Sequence, residues 1–132
     1  MKRGYKALLD EANAAIEAVS PAQAARLAGD DDVVLVDIRD IRELQREGRV
    51  PGAIHAPRGM LEFWVDPESP YHRKDFASGK TFIFFCAAGW RSALATKTVQ
   101  DMGLTPVKHI EGGFGAWREA GLPIDLPPEK TD

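Results

Sequence analysis

The sequence holds one cysteine, Cys86, in 132 residues. That excludes an intramolecular disulfide framework and a metal site built from cysteines. Its three histidines, His55, His72 and His109, stand far apart and lack the spacing of metal ligands. Surface or satisfied core positions are the expectation for all three. No apolar run approaches the length of a membrane span. The basic tip Met1-Lys2-Arg3 leads into a polar, partly acidic stretch, not the apolar segment of a secretory signal. An excess of positive charge is also missing. With 17 Lys and Arg against 20 Asp and Glu, the net charge is −3, which argues against a bulk nucleic-acid or anionic-membrane surface. There is no internal repeat and no low-complexity segment. A soluble cytoplasmic protein is the expectation.

What is present suits one domain with a substantial core: 44% of residues are hydrophobic and 28% charged. Tyr5, Leu8, Leu9, Ala12, Ile16 and Val19 fall at helical spacing, which predicts a four-turn helix ending before Ser20-Pro21. Such a stripe packs either on its own domain or on a partner, including a second copy. Ser20, Pro21 and Gln23 form the pattern of a capping box with Pro at the first helical position. Val33 to Ile38 is nearly continuous aliphatic sequence, as in a strand buried on both faces. Asp40 and Glu43 repeat the capping pattern for a helix to about Glu47, stopped by Gly48. Ala53 to Ala56 reads as a short strand, and Arg58 to Ser78 as an irregular, partly helical excursion. Thr81-Phe82-Ile83-Phe84-Phe85 is the strongest strand. A helix from Arg91 to Met102, a strand over Val107 to Ile110 and a last helix from Phe114 to Ala120 follow. Strands alternating with helices imply an α/β fold with parallel pairing. The expected division is an N-terminal amphipathic helix over 1–18, a domain over 19–125 and a flexible tail over 126–132.

In an open parallel sheet, ligand sites form at the carboxyl ends of strands. Those ends are Asp37-Ile38-Arg39, Pro57-Arg58, Cys86 to Arg91, and Glu111-Gly112-Gly113. One of them holds the single thiol. A lone cysteine after four apolar residues is ordinarily a small buried hydrophobe. Cys86, however, follows the last strand residue and precedes a helix start by about five residues. Backbone N–H groups of a tight loop and a helix N-terminus favour thiolate over thiol there. Ala87, Ala88 and Gly89 are small enough for the backbone to curl round a sulfur. Arg91 either contacts an anion or anchors the loop on a carboxylate. Arg58 is a second anion-binding candidate. Asp37 with Arg39 reads as a structural ion pair. Phe63, Trp64 and Tyr71 either wall a pocket or cover the sheet edge, and Trp117 reads as core.

Cys86-Ala87-Ala88-Gly89-Trp90-Arg91-Ser92 resembles the rhodanese active-site loop, Cys-x-x-Gly-x-Arg-Ser. Val36-Asp37-Ile38-Arg39 is similar to the family's Asp-Val-Arg signature, and Gly48-Arg49-Val50-Pro51-Gly52-Ala53 to its Gly-His-Ile-Pro-Gly-Ala. Glu111-Gly112-Gly113 through Trp117, with Gly121-Leu122-Pro123, matches the closing Gly-Gly-x-x-x-Trp…Gly-x-Pro. The resemblance covers about Val19 to Pro123. Arg49 stands where His is usual, Trp90 puts a large ring in the variable loop position, and the N-terminal helix lies outside the common domain.

The resemblance implies a three-layer domain: a mostly parallel sheet of about five strands with helices on both faces. It also implies sulfur transfer without metal or organic cofactor. Cys86 takes sulfane sulfur from a donor such as thiosulfate, holds it as a persulfide, and passes it to cyanide or a thiol. Partners would be a small sulfur-containing anion or thiol, or an acceptor protein. Nucleic acid and membrane are not expected; a homodimer through the N-terminal helix is one option. Two other readings compete. Cysteine phosphatases and arsenate reductases of related fold place five residues between Cys and Arg, whereas four separate Cys86 from Arg91. A non-catalytic binding module of the same fold is expected to lack the cysteine.

Overall fold

The structure, a computed structural model, describes residues 1–128. Five strands make one sheet: β1 (Glu17–Val19), β2 (Val33–Asp37), β3 (Ile54–His55), β4 (Thr81–Phe85) and β5 (Val107–Ile110). Their order is β1-β5-β4-β2-β3, and every neighbouring pair runs parallel. The helices are α1 (Tyr5–Ala15), α2 (Pro21–Leu27), α3 (Ile41–Glu47), α4 (Leu61–Val65), α5 (Trp90–Met102) and α6 (Gly113–Glu119).

Alternation along the strands divides the core in two. Val36, Phe82, Phe84, Cys86 and Val107 face the side of α4 and α5, with Leu61, Val65, Ala95 and Val99. Leu35, Ile83, Phe85 and Ile110 face the other side and meet Ala24 of α2 with Phe114 and Trp117 of α6. Phe82 to Phe85 are all fully buried, as an apolar run in a central parallel strand requires. Trp117 is core, and its indole N–H donates to the Pro123 carbonyl at 2.8 Å.

Local chemistry sets the helix starts. Ser20 Oγ accepts from Gln23 N–H at 3.1 Å while the Gln23 side chain accepts from Ser20 N–H at 2.9 Å, the reciprocal bonds of a capping box. At α3 the Asp40 carboxylate accepts from Arg42 N–H and the Glu43 carboxylate from Asp40 N–H, both at 2.9 Å.

The N-terminus departs from the spacing argument. α1 stops at Ala15, Ile16 turns extended (φ −112°, ψ 163°), and Glu17–Val19 pairs with Lys108, His109 and Ile110 as an edge strand. Residues 17 and 18, expected at the end of the helix, therefore belong to the sheet. α1 packs on α5 of its own domain, burying Ala12, and the Gln100 amide donates to the Ala15 carbonyl at 2.9 Å. Of the expected flexible tail, Leu126, Pro127 and Pro128 line a shallow cleft with Leu44, Gly48 and Arg49, and residues from 129 on lie outside the described ones.

Candidate active site

The connection from β2 leads to β3 on one side, and that from β4 leads to β5 on the other. The carboxyl ends of β2 and β4 thus flank a topological switch point, where parallel sheets open a crevice. Cys86 occupies that place at the end of the central strand.

The turn after Cys86 is held by backbone bonds from the closing glycine segment. Phe114 N–H donates to the Cys86 carbonyl at 2.8 Å and Gly115 N–H to the Ala87 carbonyl at 3.0 Å. Such close approach demands glycine at position 113. Its φ is +60°, and an added Cβ would lie 2.4 Å from the Cys86 carbonyl oxygen. Gly89, at φ +108°, turns the chain into α5. The Gly89 N–H then points at Cys86 Sγ at 3.1 Å, and the Ser92 N–H at 3.4 Å. The first N–H groups of a helix have no partner within it, and here one is spent on sulfur. Of the donors expected between Ala87 and Arg91, Gly89 is the one that reaches the sulfur; the second donor, Ser92, lies just beyond.

Ser92, His109 and Glu43 complete the surroundings. Ser92 Oγ sits 3.6 Å from Cys86 Sγ and 3.0 Å from His109 Nδ1. His109 is 4% exposed. Burial pushes its pKa below the ordinary histidine value, with Glu111 pulling the other way, so the imidazole is neutral at pH 7. Glu43, the capping carboxylate of α3, also grips Arg91: Nη1 donates to Oε2 at 2.8 Å and Nη2 to Oε1 at 3.0 Å. That bidentate pair holds the Glu43 carboxyl below the usual glutamate range, Arg91 being the largest cause. It likewise raises Arg91, to which nearby Cys86 adds a smaller upward pull. Of the two roles open to Arg91, the structure shows the anchor.

Arg58 is paired with a carboxylate of its own helical segment. Its guanidinium donates to Glu62 at 2.6 Å and lines a groove between α1 and α5 with Arg3, Glu11 and Lys97. Asp37 and Arg39 form the buried ion pair that the strand end suggested. Arg39 Nη2 donates to Asp37 Oδ2 at 2.8 Å and to the Gly48 carbonyl at 2.9 Å, and its guanidinium lies 4.0 Å from the Phe114 ring centroid. His55 Nε2 donates to the Arg39 carbonyl at 2.6 Å. Trp90 is 61% exposed at the start of α5, its ring 5.2 Å from that of Tyr5 in α1. Phe63 and Tyr71 are exposed, whereas Trp64 packs on the core under Arg73. Among the described residues, no group of three or more His, Cys, Asp and Glu side chains is placed to hold a metal ion.

The Ser92–His109 and Glu43–Arg91 contacts were not legible along the chain. The signal was register: Val107 and His109 share a face of β5, His109 pairs with Phe84, and Phe84 lies two residues before Cys86 on the same face.

The model of the rhodanese-like domain matches residues 20–120. A sulfurtransferase from Allochromatium vinosum is 31% identical over 102 residues, which cover 77% of this chain and 87% of that protein. Two further curated relatives are longer, the match covering 54% and 61% of their lengths. Among solved structures, a polysulfide-sulfur transferase homodimer from Wolinella succinogenes superposes with TM-score 0.69 at 34% identity, covering 91% of this chain and 85% of that one. A Rhodopseudomonas palustris protein of unknown function, described as a possible tyrosine phosphatase, superposes with TM-score 0.92 at 60% identity, covering 95% and 96%.

Proposed function

The chain belongs to the rhodanese-like family, and we propose that within it the chain is a sulfurtransferase that carries sulfane sulfur on Cys86. The observation behind this reading is Cys86 Sγ at the end of the central strand, under N–H donors at 3.1 and 3.4 Å. Donors aimed at sulfur stabilise its anionic forms, both a thiolate and a persulfide. In the first step the Cys86 thiolate attacks the outer sulfur of thiosulfate. The S–S bond of the donor breaks, and sulfite leaves with its electron pair. In the second step cyanide or a thiolate attacks the outer persulfide sulfur, and Cys86 recovers the electron pair as thiolate. No external oxidant or reductant is needed.

Phosphoryl transfer, the activity suggested for the Rhodopseudomonas protein, meets two obstacles. Four residues, not five, separate Cys86 from Arg91, and both Arg91 Nη groups are engaged by Glu43. Trp90, exposed at the mouth of the loop, favours a bulky acceptor, such as a thiol on another protein, over a small anion. Association through α1 is a separate proposal. Tyr5 and Leu8 remain 54% and 39% exposed there, and light scattering of wild type against Leu8→Glu reads it directly. No helix among the described residues is long and apolar enough to cross a membrane.

Intact-mass measurement after incubation with thiosulfate or polysulfide tests the central reading. The expected result is a gain of one sulfur in wild type, none in Cys86→Ser, and its removal by cyanide. No gain with any sulfane donor would leave a binding module. Turnover of an aryl phosphate dependent on Cys86 would put phosphatase chemistry in its place.

A further inference from the structure

Cys86 Sγ, Ser92 Oγ and His109 Nδ1 form a chain of contacts at 3.6 and 3.0 Å. All three residues are nearly inaccessible to solvent, at 1%, 0% and 4% exposure. A thiol enclosed in this way cannot simply release its proton to bulk water, and the nearest titratable acceptor in the chain of contacts is the imidazole. We infer that His109 is a positioning residue that takes the Cys86 proton through the Ser92 hydroxyl, so that thiolate forms without opening the site.

The step balances within these three groups. The S–H proton passes to Ser92 Oγ as the Ser92 hydroxyl proton passes to His109 Nδ1. The products are a Cys86 thiolate and a His109 imidazolium, and the serine is unchanged. The starting imidazole carries its proton on Nε2, leaving Nδ1 free to accept. After transfer, the Ser92 hydroxyl and the N–H groups of Gly89 and Ser92 all point at the new anion. Around His109, β1 presents Ala18 and β4 presents Phe84 in register, and α5 presents Ser92. The one charged group acting on the ring among the described residues is Glu111, on its own strand. Burial, the larger effect, favours the neutral ring, and Glu111 works against it; a thiolate formed beside Ser92 would supply a further charge that favours the imidazolium.

A merely structural role would be to hold Ser92 in place. Asn at position 109 keeps hydrogen-bonding atoms near those of Nδ1 but cannot take up a proton, and Leu removes both functions. The test follows the alkylation of Cys86, the sole thiol, by iodoacetamide across pH in wild type, His109→Asn, His109→Leu and Ser92→Ala. The expected result is that all three variants move the midpoint of the rate profile upward by about one pH unit. At pH values below the midpoint, that is about a tenfold slower reaction. A wild-type profile in His109→Asn would overturn the proton role and leave only the structural one. A second measurement needs no variant at position 109: the nitrogen resonances of the His109 ring, titrated before and after Cys86 is alkylated. With no thiolate to face, the imidazolium should appear only at lower pH; an unchanged midpoint would overturn the inference. The inference rests on Cys86 as the reactive thiol, yet alkylation uses no sulfur donor. Its failure therefore leaves sulfur transfer standing, and failure of sulfur loading leaves this result standing.

Discussion

The two strand ends that flank the switch point, after β2 and after β4, are equally buried and differently built. After β2, the Asp37 carboxylate meets the Arg39 guanidinium and the Arg39 N–H, and Arg39 spends its remaining donors on Gly48 and Glu47. Charge is cancelled on the spot, beneath an aromatic ring. After β4, the sulfur of Cys86 receives two backbone N–H donors and a hydroxyl neighbour, and the nearby arginine is committed to Glu43. A group whose field is already cancelled is structural. A group offered donors without a bound counter-ion is prepared to become an anion, and that difference separates the brace from the proposed nucleophile.

Breaking the brace should have the largest effect. Arg39→Met leaves the Asp37 carboxylate buried without its cation, a loss of about 3–5 kcal/mol in denaturant unfolding. Adding Asp37→Asn should recover part of that loss. A cost under about 1 kcal/mol for Arg39→Met would erase the distinction between the two ends.

Glu43→Gln tests the nucleophilic side. Gln still accepts the Asp40 N–H, so α3 keeps its cap, and the loss of the partly exposed ion pair costs about 1 kcal/mol or less. The sign with pH is fixed by the depressed Glu43 carboxyl. Its contribution is complete above the ordinary glutamate pKa and is lost as pH falls through the lower folded-state value. Melting curves on acidification should therefore fall less steeply in Glu43→Gln than in wild type. Parallel curves would mean that the Arg91 pair contributes nothing to stability.

The smallest effect is expected at the exposed rim. Tyr5→Ala removes one ring of a solvent-facing pair and should change stability by about 0.5 kcal/mol or less. Loss of the contact should nevertheless alter the fluorescence of Trp90. Identical spectra for wild type and variant would show that α1 does not reach the loop in solution.

Much of this arrangement was legible in the sequence. The apolar runs of β2 and β4 announce a buried parallel sheet, and Ser20-Gln23 and Asp40-Glu43 announce their helix starts. Cys86 with four residues to Arg91 announces the loop. Each of these signals is local, with cause and effect a few residues apart. β1 was not legible because three residues are too few to show a period, and Ile16 and Val19 also fit a helical repeat with Ala12. Its strand character comes from β5, about 90 residues later. His109 and Glu43 were missed for the same reason. Each meets its partner across elements, 17 residues away for Ser92 and 48 for Arg91, and neither gap fits a local period. Arg58 was legible as a strand-end cation, but its pairing with a glutamate four residues on was not named from the sequence.

Glu43 is a shared part. One carboxylate closes the first turn of α3 and fastens the loop that carries Cys86. A change there cannot improve helix stability and loop rigidity independently, because Asp and Gln each satisfy one client and fail the other: the first in reach, the second in charge. Substitution at this position is therefore felt twice, once at the helix start and once in the loop that carries Cys86.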